Sequence, residues 1–511
     1  MPEVRFLTKR VVAAFSALAV LGGCAHLAPV SHDVAQWSQF RLNAANNVVL
    51  PGSLRTTWSV DSGGPISASP SVVGDTLFIG NNLGRMLAID VRDGHEIWRD
   101  GFESALMSAP LVIGRNVVVG EGDENSMVMH GVVHVGGPTN ALISLDRETG
   151  AVRWNVPVNG TCMPTGAYVD GRIVEHIGTG DLVSLSPDTG EVAFTHNLGT
   201  IPSMVAVLPL GHDTIVSAGE TDTGVVAVHA SSGASIWRHS FADGSAFGDG
   251  PLASDGKRVF GGYLYPVPGQ AHTYVKAGEI GEQRAYALDV RTGAALWNVH
   301  LENGRIPFRN QAAIPLVDRG TLFLGSSLAP AMHAIDLKTG RMLWRKKVRG
   351  PVKGGIVATD GNIYFGDFSG RIWALRESDG SVVGTVNAGT PFNVASPIVV
   401  GRTLVVSSLT GRILALPIEA IDEARDVAAS QAAAKRWFAP DILARFRTGD
   451  RNHDGVLDRS ELEHLIAHAN FARMDRDRNG KITPPEFGMA IAAETVEFGN
   501  MTQPGVLASR H

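Results

Sequence analysis

Met86-Leu87-Ala88-Ile89-Asp90-Val91-Arg92-Asp93-Gly94-His95-Glu96-Ile97-Trp98 is the first clear copy of the unit that decides the fold. Alternating side chains lead to an aspartate, then a glycine, then a tryptophan. The aspartate side chain can accept backbone N–H groups, and glycine takes the φ > 0 position that a tight hairpin needs. The unit returns as Asp146, Thr149-Gly150 and Trp154, then as Asp289, Thr292-Gly293 and Trp297. Asp336, Thr339-Gly340 and Trp344 give another clear copy. Weaker copies carry Thr189-Gly190 with Phe194, Ser232-Gly233 with Trp237, and Asp379-Gly380 with no aromatic. These glycines recur every 40 to 60 residues, and a second hairpin precedes each, as in Ser67 to Gly80. Four strands at that period are what a propeller blade requires.

An eighth unit, Leu404 to Leu416, has first strands but neither turn nor tryptophan after them. Trp58, near the other end, has a strand context but no hairpin of its own. The N-terminal strand is therefore expected to complete the eighth blade, since closing a ring removes exposed sheet edges. The fold expected is mainly β, an eight-bladed propeller followed by a small all-α domain. Composition agrees: the chain has 511 residues, 59 of them glycine, with 44% hydrophobic and 18% charged side chains. That excludes a disordered or collagen-like polymer. A net charge of −6 gives no basic surplus for phosphates, so no nucleic-acid partner is expected. Two cysteines exclude a disulfide framework and a four-cysteine metal site.

The repeat resembles that of pyrroloquinoline quinone (PQQ)-type propellers, and Trp37-Ser38-Gln39-Phe40-Arg41 looks like their lead-in. Two families share that propeller. Quinoprotein dehydrogenases hold PQQ in the central funnel beside a disulfide of adjacent cysteines. Here Cys162 stands alone, so the resemblance implies that PQQ is not bound. The lipoprotein subunit of the outer-membrane β-barrel assembly machinery is similar in having a signal, a lipid anchor and eight blades without a cofactor. The alternative reading is a PQQ-dependent dehydrogenase; a third is a carbohydrate or cell-wall binder using Trp373. Long insertions at Glu121–Asn140 and Tyr263–Gln283 are expected on one face as binding loops. Glu121, Asp123 and Glu124 are expected to form an exposed acidic loop.

At the N-terminus, Arg5, Lys9 and Arg10 precede an apolar run, Val11 to Leu21, too short to span a bilayer. It ends at Leu21-Gly22-Gly23-Cys24, which resembles the lipobox of bacterial lipoproteins. That implies lipidation of Cys24 and an outer-membrane protein facing the periplasm.

After Leu416, Ile418 to Trp437 is alanine-rich without glycine or proline and reads as a connecting helix. Two twelve-residue loops follow. The first presents Asp450, Asn452, Asp454, Val456, Asp458 and Glu461 at positions 1, 3, 5, 7, 9 and 12. The second presents Asp475, Asp477, Asn479, Lys481, Thr483 and Glu486. Gly455 and Gly480 stand at position 6. This is the EF-hand rule: side-chain oxygens at 1, 3, 5, 9 and 12 and a carbonyl at 7 surround Ca²⁺, with glycine making the sharp turn. Leu457 and Ile482 are expected to pair across the loops. The domains expected are thus a signal at 1–24, the propeller at 37–417, and a helical linker at 418–438. An EF-hand pair at 439–492 and a tail at 493–511 follow. The function implied is a calcium-binding, lipid-anchored scaffold for protein partners at the cell envelope, possible work in outer-membrane protein assembly included.

Overall fold

The computed structural model describes residues 36–122, 128–129, 132–133, 140–200, 205–211, 213–219, 224–241, 250–266, 280–306, 313–422 and 424. Towards the C-terminus it describes 446–465, 471, 475, 479–483 and 487. Cys24, the tail at 493–511 and most of the 418–438 segment lie outside these residues.

Four antiparallel strands make each blade. Blade 1 comprises Ser71–Val73, Thr76–Gly80, Arg85–Asp90 and Glu96–Gly101, in that order from the axis outward. The inner strands are covered on both faces, which is why they read as unbroken apolar runs. The outer strand buries only Trp98. Trp98 pairs with Ala88 across the hairpin, as Trp297 pairs with Ala287 and Trp344 with Ala334. The small residue of each repeat leaves room for the ring to turn away towards the next blade.

There the ring meets the glycine of the following turn. A Cβ on Gly340 would lie 2.8 Å from the Trp297 ring, and one on Gly150 would lie 2.8 Å from Trp98. Gly340 also has φ +71°, so the position requires glycine twice over. Each indole N–H donates to a carbonyl of the same neighbouring turn: Trp98 to Arg147, Trp154 to Pro187, Trp237 to Val290, Trp297 to Leu337 and Trp344 to Glu377, at 2.7–3.0 Å. Tryptophan is thus a joint between blades. At the blade 3–4 joint, Gly233 faces His196 instead, two residues beyond Phe194.

Closure falls where the sequence places it. Trp58–Asp61 pairs antiparallel with Arg412–Pro417 and completes blade 8, while the Trp58 ring docks on Gly94 of blade 1. A fifth strand, Val49–Leu50, adds in parallel to Ile398–Val400 on the inner side of that blade. Because blade 8 takes its outer strand from the N-terminus, it has no turn on which a tryptophan from blade 7 could dock. Blade 7 accordingly carries Gly384 opposite Ala374. The vacancy is filled by helix α1, Ile418–Asp422, whose backbone lies directly on Gly384. Tyr364 donates to Asp422 at 3.1 Å, and Arg402 pairs with Glu419 at 2.8 Å. Gly384→Ala would set a Cβ 1.8 Å from the Ile421 carbonyl oxygen. It should therefore lift α1 at a cost of about 1–3 kcal/mol, seen as faster hydrogen exchange in residues 418–424. Unchanged protection there would refute the plug.

The lead-in crosses the axis. Trp37 bridges Val112 of blade 2, Tyr168 of blade 3 donates to the Ser38 carbonyl, and Phe40 packs on Ala109, Ala206 and Ile314. Asn46 donates to the Leu252 and Pro315 carbonyls, which feed blades 5 and 6. The fully buried Arg41 guanidinium donates to Asn46, to Pro397 and to Ile356, at 2.7, 3.0 and 2.6 Å. Burial pulls its pKa down to about 9. One segment thus ties the inner ends of blades 2 to 8 together.

In blade 5 the two ends of the second insertion belong to strand. Arg258–Pro266 and Ile280–Asp289 continue the hairpin into it from both sides, residues 267–279 lie outside the described residues, and the outer strand lengthens to Ala295–Arg305. Most of the alternation in Tyr263 to Pro266 and Ile280 to Gln283 belongs to strand.

Candidate functional site

The first calcium loop is described throughout. It begins just after the helical turn 446–449, closed by the Asp450 N–H donating to the Phe446 carbonyl at 2.9 Å. It ends in helix α2, Arg459–Leu465. Asp450 accepts from the N–H groups of Asp454 and Gly455, and Asn452 and Asp454 accept from Asp454 and Val456. Glu461 accepts from Arg451 at 2.9 Å and from Asp458 at 3.1 Å, reaching back over the loop from position 12. Asp458 caps α2 by accepting from the Glu461 N–H at 2.8 Å. Gly455 turns the loop with φ +84°.

Loop two repeats what is described of this. Asp475 accepts from Asn479 and Gly480, and Asn479 accepts from Lys481. Gly480 has φ +81°. Thr483 stands next to the bridge, whereas Asp477 and Glu486 lie outside the described residues. The loops meet as expected: Leu457 and Ile482 exchange both backbone hydrogen bonds at 2.8 Å. Phe446, Phe471 and Phe487 are buried beneath, with Phe446 edge-on to Phe487 at 5.8 Å. The 25-residue spacing between loop starts leaves no room for two full helices: α2 is seven residues long, and Phe471, whose carbonyl accepts the Asp475 N–H at 2.8 Å, is helical again.

These residues fit calcium. The donors are carboxylates, amides, a hydroxyl and carbonyls, the hard oxygen set that Ca²⁺ takes and that copper or zinc does not favour. Asp450, Glu461 and Asp475 are buried, a position that carboxylates hold at a cost unless a cation is near. Bound there, calcium supplies the positive charge that joins the start of each loop to its closing glutamate.

Other candidates read from the sequence fare differently. Trp373, the sugar-binding candidate, is buried and donates to Asp367 at 2.8 Å, so it belongs to the core and not to a sugar-binding surface. Glu121, expected in an exposed acidic loop, is buried and accepts the Ser104 N–H at 2.8 Å, because its strand runs one residue further than the pattern suggests. Asp123 and Glu124 lie outside the described residues. Cys162 is buried; desolvation first, then the nearby Glu175 and Glu121, hold its thiol well above the usual range. Its burial suits a packing role, since low-pKa reactive cysteines are partly exposed. Sequence reasoning missed Arg41 as the axial tie. Its signal was a lone charged residue between Phe40 and Leu42 in the lead-in.

A closed ring of tryptophan-docked blades, with paired EF-hand loops beyond it, defines a repeat propeller carrying a calcium-loop module. The family model for outer membrane protein assembly factor BamB matches residues 51–129, 126–260 and 281–431, and an EF-hand model matches 443–466 and 469–491. The chain belongs to that BamB family. It is 25% identical to tetrathionate hydrolase of Acidithiobacillus ferrooxidans over 69% of this chain and 72% of that one. To BamB of Burkholderia pseudomallei it is 24% identical, over 70% and 86%. The crystal structure of BamB from Moraxella catarrhalis matches with a TM-score of 0.53 at 17% identity, over 71% of this chain and 98% of that one, and shares the propeller fold.

Proposed function

We propose that this protein is a calcium-loaded scaffold, anchored at the outer membrane through lipidated Cys24 and serving outer-membrane protein assembly from the periplasm. The observation that carries the reading is the BamB family match along 51–431. The lead-in supports it: Trp37, Gln39 and Arg41 bind the inner ends of several blades into one framework on which partners can dock. Two hard-oxygen loops supply the calcium sites, and partners are bound as proteins, by loops or by strand addition. Among the described residues no helix is long and apolar enough to cross a membrane; acyl chains on Cys24 would hold the chain at the bilayer by burying their CH₂ groups.

Deletion in the native host should lower outer-membrane barrel proteins, and the wild-type chain should restore them. Cys24→Ser should lose palmitate labelling and leave the membrane fraction. Full rescue by an unlabelled, soluble Cys24→Ser chain would remove the anchor from the account. The similarity to tetrathionate hydrolase favours a second reading, an enzyme built on the same propeller. Tetrathionate turnover by the purified chain, or dye-linked alcohol oxidation after addition of PQQ and calcium, would establish it in place of the scaffold.

A further inference from the structure

We infer that Lys481, although it belongs to the second loop, sets the calcium affinity of the first. The inference rests on the calcium reading above. At position 7 a residue offers the ion its main-chain carbonyl, so its side chain is free for other work. In this chain the Lys481 ammonium lies 3.5 Å from the Asp454 carboxylate, the position-5 ligand of loop one. The other Asp454 oxygen already accepts the Val456 N–H at 3.0 Å. The approach is fixed by the backbone: the paired Leu457–Ile482 hydrogen bonds hold residue 481 beside loop one. A dication entering loop one must therefore share Asp454 with a positive charge or displace it.

The consequence concerns the order of filling. Loop one presents four carboxylates, Asp450, Asp454, Asp458 and Glu461, and loop two presents three, Asp475, Asp477 and Glu486. Ligand charge alone would make loop one the tighter site. Lys481 offsets one of its charges and brings the two sites together in affinity. Nothing in the local spacing of either loop carries this, because the pair is formed across the bridge.

Calorimetric titration of the full chain with Ca²⁺ tests it. Lys481→Met should tighten one of two sites by about fivefold, the scale of one partly exposed charge pair, while Lys481→Arg leaves both affinities in place. With loop one disabled by Glu461→Gln, Lys481→Met should leave the remaining site within about twofold. An equal change at both sites, or none, overturns the inference while leaving the calcium reading intact. A wild-type chain that takes up no calcium overturns both.

Discussion

Trp297→Ala should lower the stability of the propeller by about 3–5 kcal/mol, the cost of emptying a buried aromatic site that cannot collapse. The ring lies against Gly340 of the next blade, 6.0 Å from the Phe260 ring, and donates to the Leu337 carbonyl at 3.0 Å. Neither backbone can move inward, since each is pinned in its own sheet. The change therefore leaves a cavity at a joint between blades 5 and 6, and the Leu337 carbonyl keeps the Arg258 guanidinium as its side-chain donor, at 2.8 Å. Trp297→Phe keeps most of the apolar contact and loses the N–H, so its cost should be about 1 kcal/mol. Urea unfolding followed by far-ultraviolet circular dichroism separates the two. Midpoints that coincide for the alanine variant and the wild type would show that docking contributes nothing to the ring.

The second large effect is at the calcium loops. Glu461→Gln should weaken loop one on the order of 100-fold, because position 12 supplies both oxygens and a full charge to a hard cation. The glutamate also holds the loop backbone, accepting from Arg451, Asn452 and Asp458. A glutamine keeps one acceptor oxygen and offers an N–H₂ where the loop presents donors. Loss of affinity should therefore come with a loosened loop, read as faster amide exchange at Arg451 and Asp458 without calcium. Calorimetry gives the affinity. Retention of two sites of unaltered strength would mean that Glu461 is no ligand.

What could be read from the sequence was local. Each EF-hand loop is one short segment whose candidate ligand positions follow from spacing, so the candidate site was legible before any tertiary contact was known. The blade turns were legible for the same reason: glycine at φ > 0 and a tryptophan at a fixed distance beyond it. Even the closure could be inferred, since a blade lacking its outer strand and a strand lacking its blade stood at opposite ends of the chain. The rest depended on non-local partners. Gly384 stands where the other clear repeats place tryptophan, yet only the packed ring shows that α1 fills the space. Arg41 reads as an ordinary polar residue until the carbonyls of Ile356 and Pro397, more than three hundred residues away, are brought to it. The ends of the blade 5 insertion were not legible, because a strand that outgrows its neighbours has the same alternation as a loop with aromatic residues.

The most direct test of the account is affinity isolation of the chain from detergent-solubilised outer membranes of its native host, with calcium present. The account predicts that the β-barrel assembly subunits co-purify in near-equal amount, and that a chain lacking lipid on Cys24 recovers far less of them. A propeller recovered alone from intact, assembly-competent membranes would contradict the scaffold reading.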